Sequence, residues 1–192
     1  KRYLIKSPQL TADRGEFLMP TNSRDMLAFI FMVLVDIDSE RVDYDKADRF
    51  AKEFGFAKVY SDCREMMAKE KLDMVSVCTW NNAHAECAIK AMKAGKHVLC
   101  EKPMALNTEL AEEMKRVSDE TGKILMIGFV RRFGNDCTLL KEYNDTGFFG
   151  DLYYIKVRNL RRNGNPGGWF GNKELSGGGP LIDLGVHVID MM

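Results

Sequence analysis

The sequence predicts an α/β fold: a doubly wound parallel sheet followed by the beginning of an open-faced α+β unit. Three observations carry that prediction. Short apolar runs, the mark of strands covered on both faces, recur between residues 29 and 129. Amphipathic helical patterns separate them, the alternation that builds parallel sheets. After residue 131 the pattern turns to apolar–polar alternation, as in a strand with one face in water.

The elements follow in order. Residues 29–35 form an uninterrupted apolar strand. Asp38 or Ser39 can cap the next helix, whose Ala47, Phe50, Ala51 and Phe54 make one stripe before Gly55 ends it. Val59-Tyr60 is a short strand, residues 62–69 a short helix and 74–78 a buried strand. Residues 83–94 are helical with Gly95 as the stop, and 97–100 are a strand. Asn107 or Thr108 opens a helix that Gly122 closes, and 124–129 is the next strand. Beyond it, 136–144 reads as a helix and 147–151 as a turn. Tyr153, Ile155 and Val157 then alternate with Tyr154, Lys156 and Arg158. A Gly- and Asn-rich loop, 163–179, leads to a helix starting near Leu181.

This gives three segments: an atypical stretch at 1–28, a first domain at 29–131 and the start of a second at 132–192. One alternating strand and one helix cannot close a core. The expectation is therefore that the second domain is truncated.

Lysine plus arginine equals aspartate plus glutamate, 28 each, so no basic excess argues for nucleic acid as partner. The apolar run at 27–35 is too short to span a bilayer, and charges on both sides make it unlike a signal peptide. The five cysteines form no Cys-x-x-Cys pair and have no metal-ligand spacing. Cys78, Cys87 and Cys100 fall in strand or helix patterns as small core residues. These features predict a reduced, cytoplasmic protein with no metal site and no membrane contact.

Chemistry concentrates in a few places. Lys102 ends the strand-like stretch His97-Val-Leu-Cys-Glu101-Lys102-Pro103, from which an ammonium can polarise a hydroxyl or carbonyl oxygen at the mouth of a sheet. His187 follows Asp183 by four residues in Gly177-Gly-Gly-Pro-Leu-Ile-Asp183-Leu-Gly-Val-His187, a spacing that puts both on one helical face. There the carboxylate can orient the imidazole. Lysine, histidine and carboxylate together suit moving a proton on and off a hydroxyl. A hydride, in contrast, needs a redox cofactor to receive it.

Asp36 directly follows the first apolar run. In a dinucleotide-binding fold such a carboxylate accepts hydrogen bonds from the adenosine ribose and repels a 2′-phosphate, favouring NAD over NADP. A helix-capping role is its structural alternative. The Gly-x-Gly-x-x-Gly turn that should precede it is absent, since residues 9–24 hold one glycine, Gly15, and no apolar strand leads into them. Without such glycines the backbone cannot approach a pyrophosphate closely, so the chain as it stands is expected to bind NAD poorly.

The stretch Val75-Ser-Val-Cys-Thr79-Trp-Asn81-Asn-Ala-His84, followed by Glu101-Lys102-Pro103, resembles the Gfo/Idh/MocA oxidoreductases. So do Gly128-Phe-Val-Arg131-Arg132-Phe133 and residues 176–192. The resemblance covers about residues 30–192 and implies a Rossmann domain paired with an open-faced substrate domain. It implies a pyridine-nucleotide dehydrogenase of sugars, inositols or related polyols, homo-oligomeric when intact. Position by position, it implies that Lys102 contacts the reacting oxygen, His187 is the general acid/base and Asp183 its neighbour. It places Thr79, Asn81 and His84 along the cofactor, Glu101 at the nicotinamide ribose, Trp169 over the cofactor, and Arg131 or Arg132 at cofactor or substrate.

Structural alternatives stand beside these roles: His84 could simply pack, Trp169 could anchor its loop, and His97 reads as structural. Two other functions remain open as well. One is a sugar-responsive regulator on the same fold, which would not need Lys102, Asp183 and His187 together. The other is the family's NAD-dependent glycosidase branch, whose histidine-rich pattern is not seen in this sequence.

Overall fold

In the computed structural model, residues 2–6, 32–35, 48–49, 51–53, 56–60, 62–160, 162, 164 and 167–192 are described. Asp36 and the 7–31 stretch, on which the ribose and phosphate-loop expectations rest, lie outside the described residues.

Among the described residues six strands form one sheet: β1 (Arg2–Lys6), β2 (Met32–Val35), β3 (Phe56–Tyr60), β4 (Met74–Cys78), β5 (His97–Cys100) and β6 (Leu125–Ile127), in the order β3-β1-β2-β4-β5-β6. β2, β4, β5 and β6 pair in parallel, with Leu34 beside Val77, Val77 beside Cys100, and Cys100 beside Ile127. Short helices connect them: α1 (Cys63–Lys69), α2 (His84–Lys93) and α3 (Thr108–Thr121). Residues 48–49 and 51–53 are helical, and Ala51 is buried as the predicted stripe requires.

Sequence chemistry explains the helix ends. Asp62 accepts the Arg64 amide with its carboxylate at 2.8 Å and caps α1. Asn107 accepts the Leu110 amide at 2.9 Å, and Gly122 closes α3 at φ 65°, where a side chain would be strained. On α3, Met114 and Val117 face the core, while Lys115–Asp119 and Arg116–Glu120 pair on the water side.

The core sits between β4, β5 and helices α1 to α3. Met66, Val75, Val77, Ala88, Met92, Val98, Cys100, Met114 and Val117 are all essentially removed from water. Each buried methionine or valine contributes about 1.5–3 kcal/mol relative to exposure. Burial pushes the Cys100 thiol pKa far up, as expected of an unreactive core cysteine.

The structure departs from the sequence reading in two elements. Residues 2–6 are a strand, and β1 lies antiparallel between β2 and β3, with Arg2 opposite Val35 and Tyr3 opposite Tyr60. No strand was expected there, because five residues with alternating side chains carry too little periodicity to stand out from a loop. The sheet is thus mixed, and β1, antiparallel to both its neighbours, ends at the edge opposite their C-termini. Residues 153–158, expected as a half-exposed strand, form none, and Tyr153 is 98% exposed. A strand exists only through its ladder, and no described strand lies beside this segment to supply one. The helix expected at 136–144 is present as α4 (Asn135–Asp145).

Candidate active site

Parallel strands deliver their following loops to one edge of a sheet, the edge where ligands bind in open α/β folds. Ladder bonds extend one residue past the strands there: Glu101 N donates to Val77 O at 2.9 Å, and Gly128 N to Cys100 O at 2.7 Å. Thr79, Glu101, Lys102 and Gly128 therefore emerge together, as the positions of Thr79 and Lys102 directly after apolar runs predicted.

His84 holds this edge in place. At the start of α2 it is 1% exposed, with Nδ1 2.7 Å from the Pro103 carbonyl and Nε2 3.1 Å from the Thr79 carbonyl. One ring thus fastens the loop after β4 to the turn that carries Lys102. Burial holds its pKa below the ordinary 6.5, and in the neutral ring a single N–H donates to one of the two carbonyls. The His84 ring is engaged by backbone on both sides. We expect His84→Ala to cost about 2–4 kcal/mol, from a cavity plus unsatisfied carbonyls. The depressed pKa also fixes the sign of a pH effect. This stabilisation is complete above the unfolded value and is lost as pH falls through the folded one, because the unfolded ring binds the proton first. Thermal melts between neutral and acid pH should show a destabilisation in the parent that is reduced in His84→Gln.

Asn81, 5% exposed, donates from Nδ2 to the carbonyl of Ser176 at 2.8 Å, which ties this loop to the second half of the chain. Ser176 ends α5 (Lys173–Ser176), and Gly177 follows at φ 83°. A side chain at 177 would be strained at this φ, and a Cβ there would also crowd Leu106 Cδ2 at 2.6 Å, so glycine suits the place where the two segments meet. Trp169 stacks on Trp80, with ring centroids 6.5 Å apart, and on Phe170 at 4.0 Å. Trp80 was not singled out in the sequence. Its place directly after Thr79 was the signal that could have marked it.

That close approach brings Asp183 to Lys102. The ammonium donates to the Asp183 carboxylate at 2.8 Å and to the Asp183 main-chain carbonyl at 2.6 Å, and both side chains are 19% exposed. Glu101 accepts the Lys102 amide at 3.3 Å. Its carboxylate stands over Gly128, where a Cβ would come within 3.3 Å of it.

The predicted pairing of Asp183 with His187 is not made. Residues 181–185 form a wider π-helical turn, and α6 (Val186–Asp190) begins only after it. The i,i+4 alignment holds for 3.6 residues per turn and is lost in the wider turn. Asp183 is bonded by Lys102, while His187 Nδ1 is buried with no hydrogen-bond partner. The His187 ring instead meets Phe129 edge-on, with centroids 6.3 Å apart. Burial, Lys102 and Arg131 hold its pKa below the ordinary value, partly offset by Asp183 and Asp190, so the imidazole is neutral at pH 7. Arg131 is exposed at this rim, while Arg132 turns away to pair with Asp190. His97, read as structural, accepts the Ile124 amide at 3.0 Å.

The strand edge gathers these groups in one place. Thr79, Glu101 and Lys102 line it, Trp169 flanks it, and Gly128 leaves the Glu101 carboxylate room to stand at the strand ends. No helix of the described residues is long and apolar enough to cross a membrane.

Comparison with known proteins accords with this geometry. Residues 31–129 match the model of an oxidoreductase family with an NAD-binding Rossmann fold, GFO/IDH/MocA, and residues 138–192 match the GFO/IDH/MocA C-terminal domain. A D-glucoside 3-dehydrogenase of Escherichia coli K12 is 44% identical over 146 residues, covering 76% of this chain and 42% of that protein. The structure of an NAD-binding protein from Listeria innocua superposes with a TM-score of 0.69 at 34% identity, covering 76% of this chain and 41% of that one. A levoglucosan dehydrogenase in complex with NADH and levoglucosan superposes with a TM-score of 0.66 at 31% identity, covering 77% and 41%. The chain thus spans about two fifths of the length of the curated relatives it matches.

Proposed function

The chain belongs to the Gfo/Idh/MocA oxidoreductase family, and from that premise we propose an NAD-dependent dehydrogenase. Its reaction interconverts a secondary alcohol and a ketone on a sugar, inositol or similar polyol. The observation that carries the reading is the meeting of Lys102, Asp183 and His187 segments at the strand edge, with Lys102 Nζ 2.8 Å from the Asp183 carboxylate. A nicotinamide bound there supplies the acceptor for hydride.

The chain's own residues do the rest. His187, neutral at pH 7, accepts the hydroxyl proton as the carbon–hydrogen bond breaks, and returns it in the reverse direction. Lys102 presents its ammonium to the substrate oxygen, where negative charge grows. Asp183 fixes that ammonium rather than the imidazole, so its role is to aim Lys102. Thr79, Glu101 and Trp169 would flank a bound nicotinamide and its ribose, while Asn81 and His84 hold the loops that carry them. Arg131 lies at the rim, within reach of cofactor or substrate. Asp36 would select NAD over NADP through the adenosine ribose.

We further propose a reducing, cytoplasmic setting, which the free thiols of Cys78, Cys100 and Cys137 support, and a homo-oligomeric intact enzyme. The division into a cofactor domain at 29–131 and a substrate domain from 132 belongs to the same proposal. The test is nicotinamide reduction by a protein of the relatives' full length bearing these residues, against glucosides, anhydrosugars and inositols. Turnover of at least one with NAD preferred over NADP is expected. Tight sugar binding without turnover would favour the regulator reading instead.

A further inference from the structure

One ion pair outside the reacting groups bears on how His187 is held. Arg132 donates to the Asp190 carboxylate three times: from Nε at 3.0 and 2.9 Å and from an Nη at 2.5 Å. The Asp190 side chain is only 6% exposed, whereas Arg132 is 62% exposed. A carboxylate so far from water is costly unless a fork of this kind satisfies it. The guanidinium carbon also lies 5.7 Å from the centroid of the Phe129 ring. Phe129 is the ring that meets His187 edge-on.

These contacts close a circuit. Arg132 and Phe129 stand just after β6, where the sheet-forming part of the chain ends. Asp190 and His187 stand one helical turn apart on α6, more than 50 positions later. The Cys137 thiol, 3.3 Å from the Met191 sulfur, joins the same two segments beside the ion pair. His187 Nδ1 has no hydrogen-bond partner, so no acceptor sets the orientation of its ring. Its position then follows from where α6 is fastened and from the edge of Phe129.

We infer that Arg132 and Asp190 are positioning residues for His187, forming a strut that fixes α6 and Phe129 and thereby aims the imidazole at the strand edge. This rests on the dehydrogenase reading for its catalytic consequence, though not for the geometry. Arg132 binds neither cofactor nor substrate in this arrangement. Its guanidinium is committed to Asp190, and it is the adjacent Arg131 that lies open at the rim.

The test uses two readouts. In a full-length enzyme, Arg132→Gln should lower kcat by about 10- to 10²-fold, the scale on which small misplacements of a catalytic group act. KM for NAD should stay unchanged. Arg132→Lys, which keeps the charge but not the fork, should fall between parent and Arg132→Gln and guards against a variant that fails to fold. The swapped pair Arg132→Asp with Asp190→Arg should recover part of the loss. The second readout needs no turnover. The chain holds three histidines, so their ring C–H signals can be followed by nuclear magnetic resonance. The signal of His187, displaced by the Phe129 ring, should move in Arg132→Gln while those of His84 and His97 stay. A folded Arg132→Gln protein with parental kcat and an unmoved His187 signal would overturn the inference. If the parent itself oxidises no sugar or polyol, the dehydrogenase reading fails, and the His187 signal alone still decides whether the strut exists.

Discussion

Replacing Lys102 by Met should remove most turnover while leaving NAD binding nearly intact. The ammonium acts mainly on charge that develops at the substrate oxygen during the reaction, and losing one such group costs about 10²–10³-fold in rate. Ground-state binding of the cofactor draws little on that charge, so KM for NAD should change little. The structure adds a second consequence. The ammonium also holds the Asp183 carboxylate and main-chain carbonyl, so the variant leaves a partly buried anion without its cation. A modest fall in thermal stability should therefore accompany the loss of rate. Lys102→Met combined with Asp183→Asn should recover stability but not turnover, which separates the two roles. Steady-state kinetics and melting curves on the same preparations measure both. Full activity in Lys102→Met on every accepted polyol would make the mechanism untenable.

His187→Asn should suppress turnover by about 10²–10⁴-fold, the range supplied by a positioned acid or base. Its sharper signature is in the pH profile. In the direction of alcohol oxidation the neutral imidazole is the active form, so rate falls as pH drops through its pKa. Burial, Lys102 and Arg131 depress that pKa, so the acidic limb should lie below the ordinary 6.5 in the parent. In His187→Asn that limb should be absent from whatever rate remains. Asp183→Asn tests the corrected geometry. The carboxylate is bonded to Lys102 and not to the imidazole, so this variant should lower kcat chiefly through a misaimed ammonium. It also removes the charge by which Asp183 raises the imidazole pKa, and the limb should move slightly to lower pH. An acidic limb that persisted unchanged in His187→Asn would assign the base to another residue.

Local signals were enough for much of this fold. Short apolar runs at 74–78 and 97–100 between helical patterns read as buried strands, and parallel pairing then sends Thr79 and Lys102 to one edge. Asn107 and Gly122 mark the ends of α3 because capping depends on residues within a few positions.

Contacts between distant residues were decided only by the folded chain. Lys102 and Asp183 are 81 positions apart, and nothing local to either says that the ammonium will take the carboxylate before His187 can. The i,i+4 rule for Asp183 and His187 assumes a regular helix, and the π-helical turn at 181–185 removed that assumption. Arg132, one of two arginines expected at cofactor or substrate, is instead bonded to Asp190, 58 positions away, because α6 comes to rest beside the turn after β6. Strands show the same division. Whether 2–6 pairs and 153–158 does not depends on which neighbour offers a free edge, and a ladder is a property of two segments. The sequence by itself therefore determined the strand-and-helix framework, the family and the residue types at the edge. Only the tertiary structure decided which of those residues hold one another, because periodicity and capping act over a few residues while ion pairs and ladders form between parts of the chain that meet on folding.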